Sequence, residues 1–349
     1  MSAGPDLDHH LKTWAGQDPI RHDVAVTLSA LARAARAISE LVGQGALAGP
    51  LGTATGKRGP TDEQKNLDLI AHGTINEVLR GAPVALLLSE EADAPIVVNP
   101  TTRLLVAVDP IDGSSNIDTG TTIGTIFSIL LAGDPGIDTD PAAFLHQSGS
   151  QQLAAGFFIY GSFTALALTV GQGTHLFTLD RASGRFLITA ADVQIPAETS
   201  EYAINASNQR HWDRAVRVYV DDCLRGRDGP RGKDFNMRWT ASPVADVYRI
   251  LTRGGVFLYP GDLREGYHNG RLRLIYEANP LAFVIEQAGG AAASGESRIL
   301  NIVPLGLHEH TPIIAGSREE VAYVVRLHLE PQASGEGSPL FGRRGLFRV

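Results

Sequence analysis

Asp109-Pro110-Ile111-Asp112-Gly113-Ser114-Ser115-Asn116 concentrates two kinds of chemistry in one short stretch. Two carboxylates stand three residues apart, with the Ile111 carbonyl between them. Hard cations such as Mg²⁺ take oxygen ligands of this kind. Gly113 then leaves the backbone uncovered, and Ser114 and Ser115 add amides and hydroxyls, a composition suited to cradling phosphate. A strand-ending turn is the ordinary reading of Asp, Gly, Ser and Asn together. The discriminating question is whether further carboxylates gather where a metal site needs them.

Three other stretches carry candidates. Ser89-Glu90-Glu91 follows the apolar run Val84–Leu88, and adjacent like charges are costly unless solvated or held by cations. A wet loop would accommodate them equally. Asp62 and Asp68 flank the start of a helix, where acidic residues ordinarily serve as dipole partners. Arg271-Leu272-Arg273-Leu274-Ile275-Tyr276-Glu277, read as a strand, puts Arg271, Arg273 and Glu277 on one face. That face is either a solvated edge or the wall of a site, and it leads into a helix start at Asn279-Pro280 that stops at Gly289-Gly290.

The elements that must position these groups are legible from periodicity. Leu104–Val108 has the length and composition of a strand buried on both faces, expected to end at Asp109 because Pro110 cannot donate to a ladder. Residues 1–19 are polar and read as frayed. Val24, Leu28, Leu31, Ala35, Ile38 and Val42 mark an amphipathic helix ended by Gly43 and Gly45. Thr61–Gln64 fits a capping box, with Leu67, Ile70, Ile75, Val78 and Leu79 on the buried face of a second helix. Strands are expected over 124–131, over a run from Phe157 to Thr169, and over 174–179 and 185–189, the last two joined by a hairpin turn at Asp180–Gly184. A boundary near Pro196–Ser200 divides the chain into 1–198 and 199–349. Beyond it come a strand at Tyr202–Asn205, helices at Arg210–Leu224 and Val244–Leu251, and a strand at Gly254–Pro260. Strand, loop, strand and helix follow over 300–328. Ser338–Val349 mixes apolar residues with three arginines and suits docking on a surface.

Composition bounds the possibilities. A chain of 349 residues fits about two domains, and 43% hydrophobic with 19% charged residues is ordinary for a soluble globular protein. A net charge of −8 argues against nucleic acid as a partner. Cys223 stands alone, so no internal disulfide is possible. Met1–His10 shows no signal peptide, and no apolar run spans a bilayer, so a cytoplasmic enzyme without a membrane partner is expected.

The full string Asp-Pro-Ile-Asp-Gly-Ser-Ser resembles the metal-binding signature of the lithium-sensitive sugar- and inositol-phosphatase superfamily. With Asn116-Ile117-Asp118 behind it, the string is similar to that of class I fructose-1,6-bisphosphatases. Arg271 to Glu277 with Asn279-Pro280 resembles the same family's second signature, and the likeness runs from about residue 21 to 328. The resemblance implies an α/β fold, a layered αβαβα sandwich with mixed sheets. It implies Mg²⁺-dependent hydrolysis of fructose 1,6-bisphosphate at its 1-phosphate, with two to three Mg²⁺ per subunit and Mn²⁺ as a substitute. Glu90, Asp109, Asp112 and Glu277 would hold one ion. Glu90, Asp109 and the Ile111 carbonyl would hold a second, and Asp62 would help with a third. Asp68 and Glu91 would activate water beside Glu90. Asp112, Gly113, Ser114 and Ser115 would bind the departing phosphate, and Arg273 would lie near the sugar. Asn205, Arg238, Trp239, Tyr259 and Arg271 would bind the distal phosphate. In the family Arg238 reaches across from a neighbouring subunit, which implies a homodimer or homotetramer.

Some positions depart from the family pattern. Trp239 stands where tyrosine is common, Arg271 where lysine is common, and Asn208 in place of a tyrosine. They leave the chemistry intact and open a second expectation, a dual fructose-1,6- and sedoheptulose-1,7-bisphosphatase. Arg21-His22, Arg103-Leu104 and Leu131 occupy the places of the AMP contacts of inhibited relatives, so AMP is not expected to inhibit in the usual way. Outside catalysis, the alternative is a sugar-phosphate-binding regulator on the same fold.

Overall fold

The computed structural model describes residues 5–58, 63–133, 142 and 146–330. Asp62, Thr61 of the expected capping box and the Ser338–Val349 segment lie outside the described residues.

The first layer is helical. Residues expected to fray instead form α1 (Leu7–Ala15), capped by Asp6, which accepts from the His9 amide. Leu7, Leu11 and Ala15 recur every four residues, and their burial offsets the ordering of an otherwise polar segment. α2 (Pro19–Gln44) starts with Asp18 as cap and proline in its first turn, and buries the expected stripe from Val24 to Ile38. A ribbon of β1 (Ala54–Arg58) and β2 (Glu63–Lys65) follows, so Gln64 lies in a strand. α3 (Asn66–Leu79) therefore begins later than Thr61–Gln64 suggests, with Lys65 at its cap position.

The second layer is an eight-stranded sheet. Its strands are β3 (Val84–Ser89), β4 (Ile96–Val97), β5 (Leu104–Asp112), β6 (Ile123–Leu131), β7 (Ala154–Tyr160), β8 (Thr164–Thr169), β9 (Thr174–Asp180) and β10 (Arg185–Ala190). The spatial order is β10-β9-β8-β7-β6-β5-β3-β4, with β3 and β5 parallel and the other neighbours antiparallel. The run from Phe157 to Thr169 is broken by a turn into β7 and β8, which pair with each other.

β5 corrects the expectation that the strand ends at Asp109. Asp109 pairs with Ile126 and Asp112 with Gly124, so Pro110 and Ile111 together oppose Thr125. This two-against-one bulge is where a residue without an N–H fits a ladder. Thr125 Oγ1 donates to the Pro110 carbonyl at 2.7 Å, and the Ile111 amide donates to Asp109 Oδ1 at 3.0 Å. Proline thus redirects the strand without stopping it.

The second half supplies α4 (Arg214–Leu224), α5 (Pro243–Arg253), α6 (Asn279–Gln287) and α7 (Arg318–Leu329). α4 is capped by Asp213, so the helix expected from Arg210 starts later, after a 3₁₀ turn over Ala206–His211. A five-stranded sheet runs β12-β11-β13-β17-β15, from β11 (Glu201–Ala203), β12 (Asn236–Met237), β13 (Val256–Tyr259), β15 (Ala291–Ala293) and β17 (Ile313–Gly316). β14 (Leu272–Arg273) and β16 (His310–Thr311) form a separate ribbon. The expected strand near residue 300 is a 3₁₀ turn, Ile299–Asn301.

α5 and α6 pack against both sheets, while α4 and α7 cover the far face of the smaller one. The order is therefore helices, sheet, helices, sheet, helices, the five-layer αβαβα sandwich. Apolar clusters fill the spaces between layers. One led by Phe127 and Phe158 lies under the first helices, one led by Phe257 and Leu281 runs through α5 and α6 to both sheets, and one led by Trp212 and Tyr219 lies under α4 and α7.

Candidate active site

The bulge in β5 aims Asp109 and Asp112 at one point, and a second correction brings Glu277 there. The stretch after Arg273 is not a strand: Leu274–Ala278 forms a π-helical turn that runs into α6. The period-two face of Arg271, Arg273 and Glu277 therefore does not exist as drawn. The turn nonetheless buries Glu277 beside the β5 carboxylates. Oxygens of Asp109, Asp112 and Glu277 lie within 4.8 Å of one another. π turns are uncommon and gather at functional sites.

Each carboxylate is held. Asp112 Oδ2 accepts from the Val244 amide at 3.0 Å and from Ser242 Oγ at 3.3 Å, both at the start of α5. Glu277 Oε2 accepts from the Arg273 amide at 2.6 Å. The Arg273 guanidinium reaches Glu90 Oε1 at 3.2 Å and stands 3.3 Å from His310 Nε2. One arginine thus sets two acids.

Burial drives the electrostatics. It pushes Asp109 and Glu277 well above the ordinary carboxylate range, with Glu90 the next cause for both. Asp112 is pushed up to about 7 by burial, against the Val244 amide and the Ser242 hydroxyl. Asp68 is also pushed up to about 7 by burial, against the Lys65 amide, with Glu91 and Glu90 adding repulsion. Among the described residues, no Lys or Arg side-chain nitrogen lies within 4 Å of the Asp109, Asp112 or Glu277 carboxylates. All-oxygen donors that repel one another need a divalent cation to ionise together, and they fit a hard one.

A cavity of about 440 Å³ opens over this cluster. Its walls include Asp68, Glu90, Glu91, Asp109, Ile111, Asp112, Gly113, Ser114, Ser115, Asn205, Trp239, Tyr259, Arg271, Arg273 and Glu277, which the sequence had singled out. Gly113 has φ 78°, and a Cβ there would meet Ser242 at 3.1 Å. Glycine takes that turn and that approach without strain. Asn116 ties the turn to the opposite wall, donating to the Thr240 carbonyl at 3.2 Å.

The far end of the cavity is aromatic and basic. Trp239 stacks on Phe257 with ring centres 5.8 Å apart, and Tyr259 stands 5.7 Å from it. Arg271 lies over the Tyr267 ring at 4.1 Å. Asn205 Oδ1 accepts from the Ser207 amide and hydroxyl, and Asn208 is engaged by Arg264. Arg238 does not line the cavity: it is half exposed, 3.9 Å from Glu201.

Sequence reasoning missed Gln64, Asp93, Ala241, Pro243 and Leu272 as lining residues, and Ser242 and Val244 as the supports of Asp112. Gln64 Nε2 donates to Glu91 Oε2. The Ser242-Pro243 pair was a readable helix start. Its contact with a residue 130 positions away was not readable.

The chain matches the fructose-1-6-bisphosphatase N-terminal domain family over residues 11–191 and the C-terminal domain family over 195–329. The class 1 fructose-1,6-bisphosphatase of Rhizobium meliloti is 51% identical over 349 residues, covering 99% of this chain and 100% of the relative. That of Azorhizobium caulinodans is 55% identical over 320 residues, covering 91% and 97%. The crystal structure of Leishmania major fructose-1,6-bisphosphatase in holo form superposes with a TM-score of 0.86 at 30% identity, covering 93% of this chain and 98% of that one. With both halves matched and full-length relatives at this identity, the chain belongs to the class 1 fructose-1,6-bisphosphatase family.

Proposed function

We infer that this chain hydrolyses fructose 1,6-bisphosphate to fructose 6-phosphate and phosphate, and that it does so with Mg²⁺. The buried acidic triad Asp109, Asp112 and Glu277 carries the metal half of the reading. With Glu90 and the Ile111 carbonyl these residues would hold the ions, and Asp62 would add a ligand. Bound Mg²⁺ supplies Lewis acidity and neutralises charge on the phosphoryl oxygens.

The protein's own groups do the rest. Gly113, Ser114 and Ser115 present amides and hydroxyls to the transferred phosphate. Asp68 Oδ2 is tied to the Lys65 amide at 2.5 Å, while Oδ1 is buried with no hydrogen-bond partner in the structure. Oδ1 is the atom that takes the proton from water, with Glu91 beside it. Trp239, Tyr259, Asn205 and Arg271 receive the distal phosphate and the sugar. Arg238, exposed and outside its own cavity, serves a neighbouring copy in a homodimer or homotetramer.

The test is release of phosphate from fructose 1,6-bisphosphate with Mg²⁺, with the sugar product identified. Fructose 6-phosphate as product, and slow attack on fructose 6-phosphate itself, are expected. Binding of the bisphosphate without any release would favour the regulator instead. Equal rates on fructose and sedoheptulose bisphosphates would establish the dual enzyme.

A further inference from the structure

His72 sits on α3 four residues beyond Asp68, hence on the same helical face. Its Nδ1 is 2.8 Å from the hydroxyl of Ser89, the last residue of β3 and fully buried. Ser89 Oγ in turn accepts from the Glu91 amide at 3.3 Å. One chain of contacts therefore runs from the Asp68 helix to the backbone of Glu91. It adds a polar link between α3 and β3, two elements that also pack against each other. Gln64, which donates to the Glu91 carboxylate, fixes the other end of that side chain.

We propose that His72 and Ser89 are positioning residues, a clamp that sets the spacing between Asp68 and Glu91 without touching substrate. His72 lies outside the cavity lining, so its effect passes through Ser89. The role rests on the reading of Asp68 and Glu91 as the water-activating pair. A group displaced by about 1 Å from its productive place costs on the order of a hundredfold in rate, so a clamp of this kind acts on turnover. It leaves the distal sugar and phosphate contacts, on the other half of the molecule, unchanged.

The test compares His72→Leu, His72→Asn, Ser89→Ala and Asp68→Asn by kcat and KM for fructose 1,6-bisphosphate with saturating Mg²⁺, and by thermal melting. An asparagine amide overlays His Nδ1 and keeps the bond to Ser89; leucine removes it. His72→Leu and Ser89→Ala are expected to lose about tenfold or more in kcat with KM within about twofold. His72→Asn is expected to recover most of that loss. Equal kcat in His72→Leu and His72→Asn overturns the proposal, as does a loss that appears in KM or only in melting temperature. Full turnover in Asp68→Asn would instead sink the reading of Asp68 as proton acceptor. Full turnover in His72→Leu beside an inactive Asp68→Asn would sink the clamp alone.

Discussion

Two buried carboxylate sites in this molecule are built on opposite plans. Glu320, 1% exposed at the start of α7, is answered from within the chain. Arg231 reaches it at 2.7 Å, Lys233 at 3.5 Å and the Tyr219 hydroxyl at 3.0 Å. The arginine is itself enclosed by the rings of Tyr219, Phe235 and Tyr323. Asp109, Asp112 and Glu277 are also buried, yet they face one another. The first arrangement answers the Glu320 charge as folded and serves architecture. The second fits a cation from outside, and a bulge, a glycine turn and a π turn bring its parts together.

The contrast can be broken from either side. The largest effect is expected at the open site: Asp112→Asn lowers phosphate release by about a thousandfold or more, since under the proposed function it removes a metal ligand and a phosphate neighbour together. Its melting temperature in chelator stays level or rises, because one of three repelling acids is gone. Truncation of the closed site works in the other sense. Glu320→Ala leaves Arg231 buried and unanswered and costs about 3–5 kcal/mol in urea unfolding, with kcat per folded molecule unchanged. Asp68→Asn sharpens the division within the open site, lowering kcat about a hundredfold while Mg²⁺ binding persists.

A smaller effect links pH to metal. Asp68, Asp112 and Asp246 sit at about 7 in the folded chain, chiefly through burial, against an ordinary 3.8. A carboxyl raised in this way stabilises the fold while protonated. That contribution is full below about pH 4 and is lost as pH rises through 7. In chelator the melting temperature should therefore fall between pH 6 and 8. Mg²⁺ should restore more of it at pH 8 than at pH 6, because at pH 6 the ion competes with protons. A Mg²⁺ effect that is flat across this range would contradict the linkage.

Much of this was legible before folding. The strands flanking the site, the long helix α2 and the Gly113 turn follow from apolar runs, capping residues and glycine. The misses have physical causes. α1 buries only three residues per nine, a signal weaker than its polar surroundings. Pro110 reads as a stop because propensity registers its missing N–H and not the bulge that makes it harmless. Glu277 reached the cluster by a π turn, which no period of two or 3.6 encodes. Ser242 and Val244 hold Asp112 through a contact that exists only after both halves have packed.

The claim that the buried triad exists to receive a divalent ion is tested most directly by calorimetric titration of Mg²⁺ into chelator-treated wild type and Asp112→Asn. The wild type should bind with proton release, seen as an apparent heat that varies with the ionisation heat of the buffer, and the variant should bind far more weakly. Equal binding by both proteins, or phosphate release by a wild type that binds no Mg²⁺, would contradict it.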